Sequence, residues 1–260
     1  MDKIKLGSVE VSKFILGSNP ISGYSHQSIE TDAKMLHYFN MAHTKELMAK
    51  AEALGVTTFI GRSDHYVKRL MMEYWDDGGK LQWISQSCSE LGTMERGIQN
   101  AIEGGASACY IHGGIIDHML ADGRFDDIPA LLKIIRDAGM PAGIAGHNPE
   151  VFRRAELELD LDFYMCCYYN PTSRDKDPNH KPGASEWFYD KDRDTMVEVI
   201  SKLSRPVIHY KIMAAGRNNP EEAFAFAKKH MRPTDAVCVG IYDEDDPDMI
   251  RKDVELLEKS

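Results

Sequence analysis

The sequence predicts a single (β/α)8 barrel of the TIM type, and three observations carry that expectation. Short apolar runs rich in β-branched residues recur eight times along 260 residues, as buried parallel strands do. Stretches with helical periodicity, closed by Gly or started by Pro, separate them. The length also suits one barrel of about 250 residues with no linker or second domain. An open doubly wound sheet is the alternative reading of the same alternation.

In order, Lys13 to Gly17 is the first strand, ended by Ser18-Asn19-Pro20. A polar and aromatic segment, Ile21 to His43, is too long for a plain connection. Thr44 then reads as the N-cap of a helix Lys45–Leu54 closed by Gly55. Val56 to Ile60 is the second strand, followed by a helix near Val67–Trp75, and Leu81 to Ser87 is the third. The helix Met94–Glu103 stops at Gly104-Gly105, and Ala108 to His112 forms the fourth strand, followed by Gly113-Gly114. Helix Ile128–Asp137, fifth strand Ala142–Ala145, helix Pro149–Glu158 and sixth strand Phe163–Tyr168 come next. Residues 172–189 form a polar loop with Trp187 and Phe188, suited to a lid over an active site. Helix Asp194–Leu203, seventh strand Pro206–Lys211, helix Pro220–His230, eighth strand Ala236–Gly240 and helix Pro247–Glu258 complete the pattern.

A net charge of −10 and the absence of a basic run argue against nucleic acid and anionic membrane surfaces as partners. Small molecules are the expected ligands. Five irregularly spaced cysteines, four of them inside apolar runs, read as reduced thiols of a cytoplasmic protein. Cys166, near the expected site, reads as one of these inert buried thiols. The first residues carry no apolar signal core and no stretch is long enough to span a bilayer. The aromatic segment Tyr24–His43 suits an interface in a homo-oligomer as well as a lid.

Barrel enzymes gather their catalytic groups at the carboxyl ends of the strands. Those ends here offer Asp64, His65 and Tyr66, then Glu90, His112, His147, Tyr168, His209 with Lys211, and Asp243. An unpartnered ionisable group in a buried strand costs several kcal/mol, so His209 and Lys211 call for something opposite them. Period-two alternation puts both on one face, and Ile208 and Ile212 suit the helix side, so that face reads as inward. Three strand-end histidines, His112, His147 and His209, form a candidate site for zinc, manganese, iron or nickel. Singly, each competes with a hydrogen-bonded structural histidine. Lys211 reads as an anchor for a substrate carboxylate, or as an amine nucleophile if its site is dry. Arg62 and Arg217 are candidate anion anchors, and Tyr66 a candidate general acid. The run Asp243–Asp248 is most simply a solvated turn before the last helix.

With the strands in place, several motifs resemble the aldo-keto reductase superfamily. They are Lys5-Leu6-Gly7 through Phe14-Ile15-Leu16-Gly17, Tyr110-Ile111-His112, Gly143 through Pro149-Glu150, Tyr168-Tyr169-Asn170-Pro171 and Val207-Ile208-His209-Tyr210. The resemblance implies an entry hairpin, a carbonyl-polarising role for His112, and a nicotinamide-stacking place for Tyr210, which would then face inward. The family's catalytic tyrosine falls at Tyr66, but its strand-two aspartate corresponds to Gly61 and its strand-three lysine to the neighbourhood of Gln86. Ala145 and Gly146 stand where the family holds the carboxamide, and Asp243-Glu244-Asp245-Asp246 follows Gly240 where it binds phosphate. Four carboxylates there repel a dinucleotide, which argues against NAD(P).

The leading expectation is a metal-dependent lyase or isomerase, or a hydrolase, acting on a small carbonyl or sugar-like substrate at the barrel's C-terminal mouth. In it His112, His147 and His209 hold the metal, and Lys211, Asp64, Tyr66 and His112 handle charge and protons. Arg62, Glu90, Tyr168, Tyr210 and Arg217 hold substrate. A divergent NAD(P)-dependent reductase and a non-catalytic binding barrel are the two alternatives.

Overall fold

Parallel strands in a barrel are covered on both faces, so each must be apolar throughout, and here nearly every strand residue is buried. The computed structural model describes residues 1–178 and 186–259. Two short strands, β1 (Lys3–Leu6) and β2 (Val9–Ser12), form an antiparallel hairpin. Eight parallel strands follow: β3 (Phe14–Gly17), β4 (Thr58–Arg62), β5 (Gln82–Gln86), β6 (Ala108–Ile111), β7 (Ala142–Gly146), β8 (Phe163–Cys167), β9 (Val207–Tyr210) and β10 (Ala236–Gly240). They close in sequence order, with β10 returning to pair with β3 from Val237 opposite Phe14 to Gly240 opposite Gly17. The expected (β/α)8 barrel is the observed one.

Two apolar clusters divide the strands. Ile15, Ile60, Ile84, Phe163, Met165 and Ile208 fill the interior, while Phe14, Phe59, Trp83 and Val207 pack outward under the helices. Ile4, Leu6 and Val11 of the hairpin join the interior cluster. Ser12 and Thr57 exchange hydrogen bonds, and Gln82 donates to Glu10 O, which fixes the hairpin across the strand starts. The floor of the barrel is thereby plugged.

Ten helices lie among the described residues, two more than the sequence pattern predicts. The additions are α1 (Ile29–Tyr38) and α5 (Gly113–Ala121). α1 buries only Asp32 and Met35, so its apolar period is faint, and Ser28 caps it by accepting from Thr31 N–H. α5 opens on the Gly113-Gly114 pair that follows the fourth strand, a poor helix start in sequence. α2 (Met41–Ala53) starts earlier than predicted, capped by Asn40, and Thr44 is buried within it. The others are α3 (His65–Asp76), α4 (Met94–Glu103), α6 (Ile128–Asp137), α7 (Pro149–Glu158), α8 (Asp190–Ile200), α9 (Pro220–His230) and α10 (Met249–Glu258). No helix among the described residues is long and apolar enough to cross a membrane. All five cysteines are free and buried.

Candidate active site

The site begins with the short strand β9. Ile208 and Tyr210 belong to the interior cluster and Val207 to the outer one, so His209 points outward. Alternation would send Lys211 outward as well. Its backbone instead turns into the left-handed region, with φ +57°, and its side chain lines the barrel's central cavity beside Tyr210. A non-glycine residue there costs about 1 kcal/mol or more, and such strain persists only where the surroundings impose it. His26, Ala214 and Ala215, all cavity residues or neighbours, share this conformation at φ +56°, +48° and +55°.

The cavity encloses about 480 Å3, room for a small organic molecule. On one wall β7 leads to His147, whose Nδ1 lies 2.7 Å from Asp117 Oδ2 on α5. Asp117 also accepts from the His147 and Asn148 backbone N–H groups at 3.1 Å. With Nδ1–H given to that carboxylate, Nε2 is left as an acceptor, and Tyr210 Oη lies 3.3 Å from it. Burial holds the His147 imidazole below its usual pKa, with Asp117 pulling partly the other way. Burial raises the Tyr210 phenol well above its ordinary range. Asp117, His147 and Tyr210 thus form a connected polar chain ending in the cavity, with Tyr210 Oη also 3.3 Å from Gly146 O. A Cβ on Gly113 would lie 3.2 Å from both His147 Cε1 and Tyr210 Oη, so glycine there keeps the space open.

His112, at the N-cap of α5, lines the same space. Its ring makes no hydrogen bond to any described residue. Burial, then the nearby Arg62, push its pKa well down, so it faces the cavity as a neutral imidazole. Deeper in the barrel, Tyr110 Oη donates to Gln86 Oε1 at 2.9 Å.

Across the mouth, Lys211 Nζ lies 3.0 Å from His26 Nε2, and His26 Nδ1 lies 2.9 Å from the Glu186 carboxylate. Burial lowers the Lys211 pKa; Cys167 and Glu186 oppose it, and Arg174 and Arg217 add to it. Arg174, buried, lines the cavity too. Arg62 reaches in with its guanidinium 5.2 Å from the Tyr24 ring centre, paired with Asp64 at 3.4 Å and with Glu90. Of the predicted lid, Arg174, Glu186 and Phe188, over which the Arg217 guanidinium stacks at 4.3 Å, border this mouth. Its residues 179–185 lie outside the described residues.

Several predicted site residues fall elsewhere. His209 is fully buried behind the barrel wall, with Nδ1 3.0 Å from Tyr168 Oη and Nε2 3.3 Å from Asp235 Oδ2. Tyr168 lies beside it, edge-on to Phe226 of α9, and neither lines the cavity. The three histidines therefore do not converge, and among the described residues no three His, Cys, Asp or Glu side chains are grouped to hold a metal. Tyr66 is 38% exposed on α3, outside the cavity lining. Asp64 caps α3 through Val67 N–H at 2.8 Å and holds Arg62 rather than facing the cavity. Glu90 likewise serves Arg62 from the half-exposed rim. Arg217 is exposed and ties its loop together, donating to Ala214 O and His26 O. Of the predicted set, Lys211, His112, His147, Tyr210 and Arg62 come together.

No protein-family model matches the sequence, and no curated protein is significantly similar to it. Solved structures do match. A putative aldo-keto reductase from Pseudomonas aeruginosa aligns at TM-score 0.66 and 14% identity, over 99% of this chain and 93% of its own. The holo form of an aldo-keto reductase from Bacillus halodurans aligns at 0.65 and 11%, over 100% and 92%. The barrel is aldo-keto reductase-like. A truncated 3-deoxy-D-arabino-heptulosonate 7-phosphate synthase from Thermotoga maritima aligns less closely, at 0.55 and 14% over 99% and 89%.

The aldo-keto reductase-like barrel places the resemblance's residues unevenly. Tyr210 faces inward and His112 lines the cavity, as the resemblance implies. The aspartate position, Gly61, faces the helix layer, where a Cβ would sit 2.7 Å from the Phe59 ring and 2.8 Å from Val67. The lysine position holds Gln86, engaged with Tyr110. Asp117, His26, Arg174 and Glu186 are site residues that the strand-end survey misses. For Asp117 a signal existed, since an aspartate inside the apolar run Gly113–Ala121 must find a buried partner.

Proposed function

We propose that this chain is an enzyme, a lyase or isomerase acting on a small anionic carbonyl compound through an amine nucleophile, Lys211. The observation that carries the reading is the Lys211 amine itself, half-buried at the cavity mouth with a lowered pKa, and with His26 rather than a carboxylate as its hydrogen-bond partner. Desolvation and neighbouring cations are the two established ways of readying a lysine to attack a carbonyl, and burial and Arg174 supply both here. The amine adds to the carbonyl carbon, and water leaves as the C–N double bond forms. The cationic imine then withdraws electrons from the adjacent carbon. His112, an imidazole open to the cavity, takes the proton next to it, and the Tyr210–His147–Asp117 chain stores on His147 Nε2 the proton that Lys211 releases before attack and returns it through Tyr210 to the departing oxygen, which leaves as water. Arg174 favours a substrate with a carboxylate or phosphate, whereas Arg62 is already met by Asp64 and Glu90. No step passes through the expected divalent metal, because His209 lies behind the wall.

Borohydride reduction in the presence of pyruvate, glyceraldehyde and a panel of short 2-oxo acids tests this, read by intact mass and peptide mapping. A reduced adduct on Lys211, absent in Lys211→Gln, is the expected result. Adducts spread over surface lysines, or none at Lys211 with any member of the panel, overturn it. One observation favours a second reading, a divergent reductase: His112 and Tyr210 sit where the resemblance implies. Exposed Tyr66 and the missing partners at Gly61 and Gln86 weigh against it. Fluorescence titration with NADPH and NADH separates the two, tight binding favouring the reductase.

A further inference from the structure

The cavity does not end at Lys211. Its lining also includes Pro20, Gly240, Tyr242, Met249 and Asp253. Gly240 keeps the space beside Pro20 open, since a Cβ there would come within 2.6 Å of Pro20 Cδ. Asp253 stands on the buried face of α10 between Ile250 and Val254, where an apolar residue would ordinarily sit. It is 5% exposed and has no hydrogen-bond or ion-pair partner among the described residues. Burial, and then Asp246, raise its pKa to about 7.

Its surroundings are acidic. Asp243 is held by Tyr38 Oη at 3.2 Å and Lys50 Nζ at 3.4 Å, Asp246 by Lys252 Nζ at 2.7 Å, and Glu244 by Tyr242. None of these cations serves Asp253. A buried carboxyl left without a partner costs several kcal/mol, and the partner it lacks is a donor entering from the cavity. Arg174 and Lys211 line the same cavity, so cationic side chains and the unpartnered Asp253 carboxyl share one space.

Building on the amine reading of Lys211, we propose that the cavity takes a dipolar substrate, with its carbonyl and anionic group at the Lys211 end and an ammonium group against Asp253. The acidic segment 243–246, which repels phosphate, then becomes part of its cation-favouring surroundings. The ligand class is an amino-substituted carbonyl acid.

The test is calorimetry with two acids that carry no carbonyl, hexanoate and ω-aminohexanoate, so that binding does not depend on imine formation. In the unmodified protein ω-aminohexanoate should bind at least about tenfold more tightly, and Asp253→Asn should erase that preference while leaving hexanoate affinity unchanged. Equal affinities in the unmodified protein, no measurable binding of ω-aminohexanoate, or a preference that survives in a folded Asp253→Asn protein overturns the proposal. The comparison in the unmodified protein stands even if the variant folds poorly. Failure of borohydride trapping alongside a preserved ammonium preference would fault the Lys211 chemistry and not the Asp253 subsite.

Discussion

His147 and His209 are built from the same parts. Each lies in or just after a barrel strand, each has an aspartate on one ring nitrogen and a tyrosine hydroxyl on the other, and each is buried. One faces the cavity, and the other lies under α9 with no ligand space beside it. What separates the two is therefore whether the ring leaves its strand toward the cavity or toward the helix layer. Residue types and hydrogen-bond pattern do not distinguish them.

Substitution should break the pair apart. His147→Ala should lower turnover about 10²- to 10⁴-fold, the range for a lost general acid or base, with little change in urea midpoint. His209→Ala should leave kcat per folded molecule intact and cost about 2 kcal/mol of stability, because Asp235 loses a hydrogen-bond donor and keeps Arg232 and the Val207 N–H. Steady-state rates with the carbonyl compound identified by trapping, together with urea melts, check both. If the His209 variant loses turnover without losing stability, the division is wrong.

The carboxylates sharpen the comparison through pH. Burial pushes Asp235 upward, but hydrogen bonds from His209 and Arg232 outweigh it and bring it to about 2. Asp253, without such donors, sits near 7. A carboxyl whose folded pKa is raised imposes no cost below its unfolded value and its full cost above its folded one. Asp253→Asn should therefore stabilise the protein at pH 8 by up to about 4 kcal/mol, at ~1.4 kcal/mol per pKa unit, and hardly at pH 4. Asp235 has the opposite sign. It contributes about 2 kcal/mol above the usual carboxylate range, lost as pH falls from about 4 through 2. Thermal melts of the two Asn variants across pH 2–8 should therefore diverge in slope.

Asp117→Asn should reduce turnover about 10- to 100-fold by loosening the His147 ring, as outer-shell carboxylates do, and Asn148 and His147 N–H groups should still find an acceptor. The smallest effect concerns Lys211. Its pKa is lowered in the folded state, so the unfolded chain binds the extra proton, and stability rises with pH between the folded value and about 10.4. Lys211→Met should be slightly more stable than the unmodified protein at pH 7, with the gain fading toward pH 10.

The barrel was legible because eight apolar runs and their spacing are properties of sequence. The direction of His209 was not. A parallel strand is apolar on both faces, so Ile208 facing in and Val207 facing out look alike in sequence. The alternation rule also fails at Lys211, whose left-handed backbone carries no glycine to announce it. In sequence Asp253 is only one residue of a terminal helix, and its isolation depends on which neighbours the fold brings to it.

The hairpin Lys3–Ser12 seals one end of the barrel with Leu6 and Val11 among the interior side chains. Whatever enters must consequently depart through the same doorway, past His26, Phe188 and Arg174. A bulky product held at both ends would obstruct the next arrival, so release, rather than bond-making, is the step this architecture exposes to slowing.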